Sequence, residues 1–318
     1  MKSLLALFGF AVAVGTVSSA AGAEFPVRPI KFVIPFTPGG SADVTARILA
    51  PRLMAVLGQP VVVENRAGGS GIVATQAVHG AAADGYTLLM LTPSHTANPV
   101  IQSKLPYDTL EDFVPVAMLV DVPGLLVINS SLPVSTLPEL LDYAKTHRVS
   151  YSSAGVGTFP HLGVEDLASR AGVPMLHVAY KGAAPALNDL IAGHVDMKLD
   201  GYTTSIEHIK AGKLRAIAAT STERLAELPD TPTVAELGFP GFETSFWMGV
   251  AAPAGTPPAV VAKLQQAFIA AFDTATRERL ANLGVRVIAK PGDELDALVR
   301  REIQQWSELA KRQGFVKQ

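Results

Sequence analysis

A buried strand that leads into a glycine-rich turn and then into a helix occurs twice in this sequence. The first copy is the apolar strand of residues 30–36, followed by Pro38-Gly39-Gly40. The second is the strand of residues 149–153, which runs into a turn at residues 154–158. Glycine adopts backbone angles that other residues avoid, so the chain can turn sharply at both places. Two such corners, far apart in the chain, predict two lobes with one corner each.

The start of a helix at each corner is a candidate site for an anion. The first N–H groups of a helix have no partner inside the helix, and the positive end of the helix dipole lies beside them. This combination binds phosphate and carboxylate groups. Ser41 or Asp43 is expected to cap the first helix. An ordinary βα turn is the alternative interpretation of this corner taken alone.

Strand and helix patterns alternate along the chain, which is typical of an α/β protein with parallel sheets. In such sheets ligands bind beyond the carboxyl ends of the strands. Thr92 and Ser94 follow the strand of residues 86–91 and are candidates for that reason. Asp200 follows the strand of residues 195–199, where it either faces the cleft or caps a turn.

The middle of the chain contains the segment that is predicted to join the lobes. Residues 113–120 and 125–129 are predicted to be two strands separated by a turn, since a Pro-Gly pair lies between them. The pattern places residues 24–128 and 243–318 in lobe 1 and residues 129–242 in lobe 2.

The N-terminus has the pattern of a secretory signal peptide. Lys2 gives a positive start, residues 4–17 are apolar but too few to cross a membrane comfortably, and Ala21-Gly22-Ala23 is a small-x-small cleavage pattern. We expect residues 1–23 to be removed, so that an exported mature chain begins near Glu24. A retained membrane anchor is the alternative.

The composition excludes several classes of function. The chain has no cysteine, which removes disulfides, cysteine–zinc sites and thiol catalysis. The formal net charge is −2 and there is no basic run, so nucleic acid and anionic membrane surfaces are not expected as partners. The seven histidines show no metal-ligand spacing, and neither a metal nor a cofactor is predicted.

Motifs of hydrolases and nucleotide-binding enzymes are absent from the sequence. It contains no G-x-S-x-G, H-E-x-x-H or G-K-[ST] motif. A periplasmic serine hydrolase is the alternative from another functional class. It would use Ser41, Ser70 or Ser153 as nucleophile, and His161 near Ser153 is the only candidate base. For His161, capping or packing in the second corner and donation to a ligand are both open.

Short motifs spaced along nearly the whole mature chain form one ordered set. They are Pro35-Phe36-x-Pro-Gly39-Gly40-x-x-Asp43, Val62-Val63-Glu64-Asn65-Arg66, Asp84-Gly85-Tyr86-Thr87-Leu88, Lys104-Leu105-Pro106-Tyr107, Gly155-x-Gly157-Thr158-x-x-His161-Leu162, Tyr180-Lys181-Gly182, Ile209-Lys210-Ala211-Gly212-Lys213-Leu214-Arg215, Leu228-Pro229-x-x-Pro232-Thr233 and Ala252-Pro253-Ala254-Gly255-Thr256-Pro257. The set resembles the periplasmic solute-binding proteins of tripartite tricarboxylate transporters, the Bug receptors. No single motif is decisive, but the shared order of all of them makes the resemblance specific.

This resemblance implies a two-lobed Venus-flytrap fold of the type II periplasmic binding class, with the ligand in the cleft between the lobes. It implies that the loop of residues 38–41, partly through ordered water, and the loop Gly157-Thr158 each take one end of a carboxylic acid. It also implies delivery of the ligand to a separate membrane permease. The chain departs from the family at two places, since Gly201 stands where many relatives carry Asn and Phe159-Pro160 replaces small or polar residues. The apolar Phe159 points to an aromatic or longer-chain acid.

The residues and the resemblance together predict a non-catalytic, monomeric periplasmic receptor for a small di- or aromatic carboxylate. It is expected to close about hinges at residues 125–129 and 243–252. A ligand-dependent partner of a membrane histidine kinase is the alternative within the binding class. The expected ligand-binding residues are Phe36, Thr37, Gly39, Gly40, Ser41, Asp43, Thr92, Ser94, Ser153, Gly157, Thr158, Phe159, His161, Tyr180 and Asp200.

Overall fold

The structure is a computed structural model that describes residues 25–313. The predicted signal peptide and its cleavage site lie outside the described residues. Strands β1 to β10 span, in chain order, Ile30–Ile34, Val61–Asn65, Thr87–Leu91, Phe113–Asn129, Ser150–Ser153, Leu176–Ala179, Met197–Gly201, Leu214–Ala219, Ser245–Pro253 and Arg286–Pro291. Helices α1 to α10 span Ser41–Leu57, Ile72–His79, Pro93–Ile101, Leu137–Ala144, Phe159–Ala171, Ala183–Ala192, Tyr202–Lys210, Pro258–Ala270, Thr274–Ala281 and Gly292–Gln313.

The first lobe is built on a mixed sheet with the strand order β2-β1-β3-β9-β4-β10. Strands β1, β2 and β3 are parallel, as the alternating pattern predicts. Strand β9 lies antiparallel to both β3 and β4, and β10 lies antiparallel to β4. Helices α1, α8 and α9 cover one face of this sheet with apolar side chains, and α2 and α10 cover the other.

The second lobe is built on a smaller sheet with the strand order β6-β5-β7-β4-β8. Strands β5, β6 and β7 are parallel, and β4 lies antiparallel to β7 and β8. Helices α4 and α5 pack on one face and α6 and α7 on the other. Within residues 25–313, no helix combines the length and the apolar character needed to span a bilayer.

Strand β4 is one continuous strand of 17 residues that belongs to both sheets. The predicted turn between two separate strands is therefore wrong. Pro123 pairs with Ser245 of β9, and the next residue, Gly124, pairs with Gly201 of β7. A Cβ atom on Gly124 would lie 2.6 Å from the ring of Phe159, so glycine is needed here for close packing and not for a turn.

Two extended segments connect the lobes. The first is β4, whose pairing partners change between Pro123 and Gly124. The second leads into β9, where Thr244 donates its N–H to the carbonyl of Thr220 in the second lobe (3.0 Å) just before the strand joins the first sheet. The predicted lobe boundary at residues 128 and 129 and the two predicted hinges stay predictions.

Helix α3 directly follows β3 and was not predicted from the sequence. Pro93 occupies its first turn, where a proline is tolerated because that N–H has no helical acceptor in any case. Thr92 is the N-cap, and Ser94 lies in the first turn; both are buried. The polar residues after β3 therefore begin a helix inside the first lobe.

Candidate functional site

A cavity lies between the two lobes, beyond the carboxyl ends of β1, β5 and β7. The cavity is small, with a volume of about 40 Å³. The rings of Phe36, Phe159 and Phe246 line it, and the centroids of the Phe36 and Phe159 rings each lie 6.1 Å from that of Phe246. We call this space the inner cavity. Its apolar walls come from both lobes.

Four helices begin at the wall of the inner cavity. Their N-cap residues are Gly40 of α1, Thr158 of α5, Gly182 of α6 and Gly201 of α7, and none of the four has a side-chain cap. The N–H groups of the first helical turns therefore lack a side-chain acceptor at the cap, and four positive dipole ends surround one space. Helix α1 belongs to the first lobe and the other three to the second. This arrangement favours an anion held between the lobes.

The first corner is braced by a charged side chain. Gly39, at φ +87°, donates its N–H to Oδ2 of Asp43 (3.0 Å), and Nε of Arg47 donates to both oxygens of the same carboxylate at 3.0 Å. Burial raises the pKa of Asp43, but the hydrogen bonds from Arg47 and Gly39 outweigh burial and lower the pKa overall. The expectation that Ser41 or Asp43 caps α1 is wrong. Gly40 is the cap, and Asp43 binds the residue before it.

The second corner is braced by a neutral side chain. Gly157, at φ +79°, donates its N–H to Nδ1 of His161 (3.1 Å). Thr158 donates its hydroxyl to the carbonyl of Gly155 (2.6 Å), which tightens the same turn. Burial and the neighbouring His177 lower the pKa of His161 to about 3, so the imidazole is neutral and Nδ1 accepts. The geometry makes His161 a brace of the corner.

The structure does not assemble a hydrolase site at Ser153. Nε2 of His177 lies 2.6 Å from Oγ of Ser153, so the expectation that His161 is the only candidate base for this serine is wrong. Ser153 has no exposed surface. Among the described residues, no carboxylate hydrogen-bonds to His177, and a serine–histidine–carboxylate triad is not formed there. Nor do residues 25–313 contain three or more His, Cys, Asp or Glu side chains placed to hold a metal ion.

A buried ion pair lies at the wall of the inner cavity. Lys198 and Asp200 are two residues apart on β7, so both side chains point to the same face of the sheet, and Nζ of Lys198 donates to Oδ1 of Asp200. Oδ2 of Asp200 accepts from the hydroxyls of Thr204 (2.8 Å) and Ser205 (2.6 Å) in the first turn of α7. Both charged residues line the cavity. Asp200 therefore faces the cleft from within a strand and does not cap a turn.

The two lobes touch each other directly beside the cavity. The hydroxyl of Ser70, in the glycine turn after β2, donates to the carbonyl of Val156 in the second corner (2.5 Å). Thr37 packs against Gly182, where a Cβ atom would lie 2.2 Å from Oγ1 of Thr37. Both contacts join the first lobe to the second. The cleft is closed in this structure.

A second cavity lies next to the inner one, and Phe36 and Ala154 line both. It is larger than the inner cavity, with a volume of about 270 Å³. Its walls include the glycine turn of residues 68–71 from the first lobe and Tyr180 and Lys181 from the second. We call this space the outer cavity. The two cavities are neighbours between the lobes and share Phe36 and Ala154 as lining residues.

The predicted site residues fall into three groups in the structure. The residues that line the inner cavity are Phe36, Gly40, Ser41, Thr158, Phe159 and Asp200, and Tyr180 lines the outer cavity. The residues that support the corners from behind or from the side are Thr37, Gly39, Asp43, Ser153, Gly157 and His161. Thr92 and Ser94 are buried at the start of α3 and line neither cavity. Contact with a ligand stays a prediction for every one of them.

Sequence reasoning missed Lys198, although a signal was present. A single lysine inside the apolar run of β7, two residues before Asp200, places two opposite charges on one face of a strand. Phe246 and Ala183 also line the inner cavity. Neither carried a local signal, because their positions depend on how the two lobes meet.

Residues 45–315 match the family described as Tripartite tricarboxylate transporter family receptor, TctC. The chain therefore belongs to this family of solute-binding receptors. The family resemblance predicted from the ordered motifs is confirmed.

Solved structures of the same fold confirm the two-lobed α/β architecture. The periplasmic binding protein BugD is 37% identical with a TM-score of 0.89, and the match covers 92% of this chain and 100% of BugD. Rpa4515 of R. palustris with adipate is 35% identical with a TM-score of 0.89, covering 93% of this chain and 100% of that one. MatC of Rhodopseudomonas palustris with bound malate is 35% identical with a TM-score of 0.85, covering 89% and 99%.

Proposed function

We propose that this chain is a periplasmic receptor that closes over a small carboxylic acid and delivers it to the membrane subunits of a tripartite tricarboxylate-type transporter, without catalysing a reaction. The observation that carries the proposal is the convergence of four helix N-termini, none with a side-chain cap, on one cavity between the lobes. Membership in a receptor family and the relatives with adipate and malate support the same ligand class. The proposal includes export, cleavage near Ala23 and a monomeric mature chain.

Backbone donors of this kind are strong enough to serve a receptor. A hydrogen bond to a charged group contributes about 1.5–3 kcal/mol, and a helix dipole adds up to about 2 kcal/mol in a partly buried site. Association costs at least about 4 kcal/mol, and a micromolar complex needs about 8 kcal/mol net. About four such contacts come close to this value, and apolar contact with Phe36, Phe159 and Phe246 supplies the rest.

The two corners are proposed to hold the ligand from opposite lobes. The loop of residues 38–41 and the loop Gly157-Thr158 each take one end of the acid, and the lobes close about the two connecting segments at residues 125–129 and 243–252. The ring of Phe159 at the wall of the inner cavity supports an acid with an aromatic or longer aliphatic body. A di- or aromatic carboxylate satisfies both conditions.

A thermal-shift screen tests the proposal. The mature chain is unfolded in guanidinium chloride, dialysed and refolded, so that any co-purified ligand is removed, and adipate, malate and benzoate are compared with their uncharged amides. A ligand at about 100 times its Kd adds about 2.7 kcal/mol of stability, which raises Tm by several degrees. We expect one or more acids to raise Tm and the amides to leave it unchanged. If no acid raises Tm, the proposal is wrong.

A pair of glycine variants tests the location of the site. A Cβ atom on Gly40 would lie 3.7 Å from that of Ala183 across the cleft, so the methyl groups of Gly40→Val fill the inner cavity or hold the lobes apart. We expect affinity for the acid to fall about tenfold or more. The matched control is Gly80→Val, because Gly80 ends α2 at φ −77° in an exposed position. Equal affinities in the two variants would place the site elsewhere.

A further inference from the structure

The helix N-termini do not account for Lys198 at the wall of the inner cavity. Its side chain has no exposed surface, although lysine is almost never fully buried unless it is paired. A lysine ammonium group has three N–H donors. Within residues 25–313, Asp200 is the only hydrogen-bond partner of Nζ. Two donors of a buried cation at the cavity wall therefore have no acceptor among the described protein groups.

Asp200 is stabilised by more than Lys198. Its Oδ2 accepts from the hydroxyls of Thr204 and Ser205. It also directly precedes Gly201, the N-cap of α7, where the positive end of the helix dipole stabilises a carboxylate. Because these groups also stabilise the carboxylate of Asp200, the carboxylate does not depend on Lys198 alone. The ammonium group of Lys198 can therefore interact with another acceptor as well. A second anion in the cavity can share the ammonium group.

We propose that Lys198 anchors one of the acidic ends of the ligand that the two corners hold in the inner cavity. The proposal rests on the proposed function, because it requires a carboxylate in the cleft. The apolar walls of the inner cavity make a fixed cation there a strong determinant of charge selectivity.

Isothermal titration calorimetry of Lys198→Met with adipate, malate, benzoate and adipamide tests the anchor. Methionine keeps an unbranched apolar side chain and removes the charge. Loss of one charge-assisted hydrogen bond corresponds to a decrease in affinity of roughly 10- to 150-fold, and we expect the acids to lose that much. Any weak binding of the uncharged adipamide should change less than about threefold, since the variant leaves the rest of the cleft intact. Unchanged affinity for every acid that the parent binds overturns the proposal.

Two further variants separate anchoring from folding. Lys198→Met leaves Asp200 as a buried carboxylate without its cation, whereas the double variant Lys198→Met, Asp200→Asn removes both charges together. We expect the double variant to bind acids as weakly as the single one. If it regains the parent affinity, the loss came from the unpaired Asp200 and the anchor is wrong. Lys210→Met is the matched control, because Lys210 is an exposed lysine of the same lobe, paired with Glu207.

The parent protein separates the failure of this proposal from that of the proposed function. If the refolded parent binds an acid and Lys198→Met binds it equally well, the anchor is wrong and the receptor stands. If the refolded parent binds no acid in the calorimeter or in the thermal-shift screen, both proposals are overturned. Binding of an acid by the parent, together with a loss confined to the two Lys198 variants, supports both.

Discussion

The two glycine corners share one backbone contact and differ in the charge of the side chain that completes it. In the first corner Gly39 donates to the carboxylate of Asp43, and in the second Gly157 donates to the imidazole of His161, in each case four residues further on. The distances are 3.0 and 3.1 Å, and the two glycines have φ angles of +87° and +79°. One geometry is therefore held by an anion in the first lobe and by a neutral ring in the second.

The surroundings of each brace explain the difference. Arg47 reaches the carboxylate of Asp43 from the solvent side, with 54% of its own side chain exposed, so the charge of Asp43 is compensated. His161 lies in a buried setting beside a second histidine, His177, with 4.2 Å between the ring centroids. Two protonated rings at that distance would repel each other, so only the neutral state is compatible with the packing. In this protein the charged brace is the one that a counter-ion reaches.

The largest expected difference between the corners is their response to acid. The pKa of His161 is lowered to about 3 and that of His177 to about 4, both mainly by burial, against an ordinary value of 6.5. In the unfolded chain both rings take up protons as the pH falls below about 6.5, so the contribution of these two rings to folding stability is fully present above that pH and declines toward pH 3. Between pH 7 and pH 5 each histidine is expected to cost on the order of 2 kcal/mol, and the two together about 4.

Urea unfolding at pH 7 and pH 5 measures this response. His161→Asn, which keeps an acceptor atom but does not titrate, should lose on the order of 2 kcal/mol of the pH-dependent change. Asp43→Asn is the control from the first corner. The lowered pKa of Asp43 means that its contribution is present above its ordinary value of 3.8 and is lost only as the pH falls through the still lower folded value. A parent-like pH dependence in His161→Asn would contradict the prediction.

Removal of the acceptor is expected to have the next largest effect, again unequal between the corners. In His161→Leu the N–H of Gly157, a buried residue, loses its acceptor, which costs about 1–3 kcal/mol. In Asp43→Leu the N–H of Gly39 loses its acceptor at an exposed residue, where water replaces the carboxylate, and we expect a loss below about 1 kcal/mol. Urea unfolding at pH 7.5, with the two Asn variants as matched controls, gives both values. Equal losses in the two Leu variants would show that burial does not distinguish the corners.

The smallest expected effect is that of Arg47→Met. The ion pair between Arg47 and Asp43 is half-exposed on the arginine side, and exposed pairs contribute about 0.2–1 kcal/mol. Because Gly39 still donates to Asp43, the first corner should keep its geometry and its affinity for acids. Urea unfolding with and without 0.5 M salt checks the change in stability. A loss well above about 1 kcal/mol would mean that Arg47, and not Asp43, is the main brace.

Most of the fold was predicted from periodicity in the sequence. Strand β4 was not predicted correctly, because its pairing partners are distant in the chain. The parallel strands β1 to β3 and the helix of the second corner were predicted because the apolar pattern and the turn residues lie within a few positions of each other. Strand β4 was predicted as two strands because a Pro-Gly pair usually marks a turn. Its true role depends on Ser245 and Gly201, which lie far away in the chain and pair with consecutive residues of β4.

The candidate site shows the same division between local and distant signals. Gly40, Ser41, Thr158 and Phe159 were predicted because glycine turns and helix starts are local patterns, and all of them line the inner cavity. Lys198 was overlooked because its spacing from Asp200 in the strand does not show by itself that both side chains are buried at a cavity. Its significance comes from its burial and from the hydroxyls and helix start that surround Asp200.

By itself, the sequence determined the two corners, the alternation of strands and helices and the receptor family, because these depend on residues that are close in the chain or on an ordered set of motifs. Only the tertiary structure decided which side chain braces each corner, that β4 belongs to both lobes, and that four helix starts and one buried lysine border the same cavity. The physical reason is that the charge and hydrogen-bond partners of a side chain depend on which groups lie near it in space. Burial then determines how strong these interactions are, because the dielectric constant is lower in the protein interior.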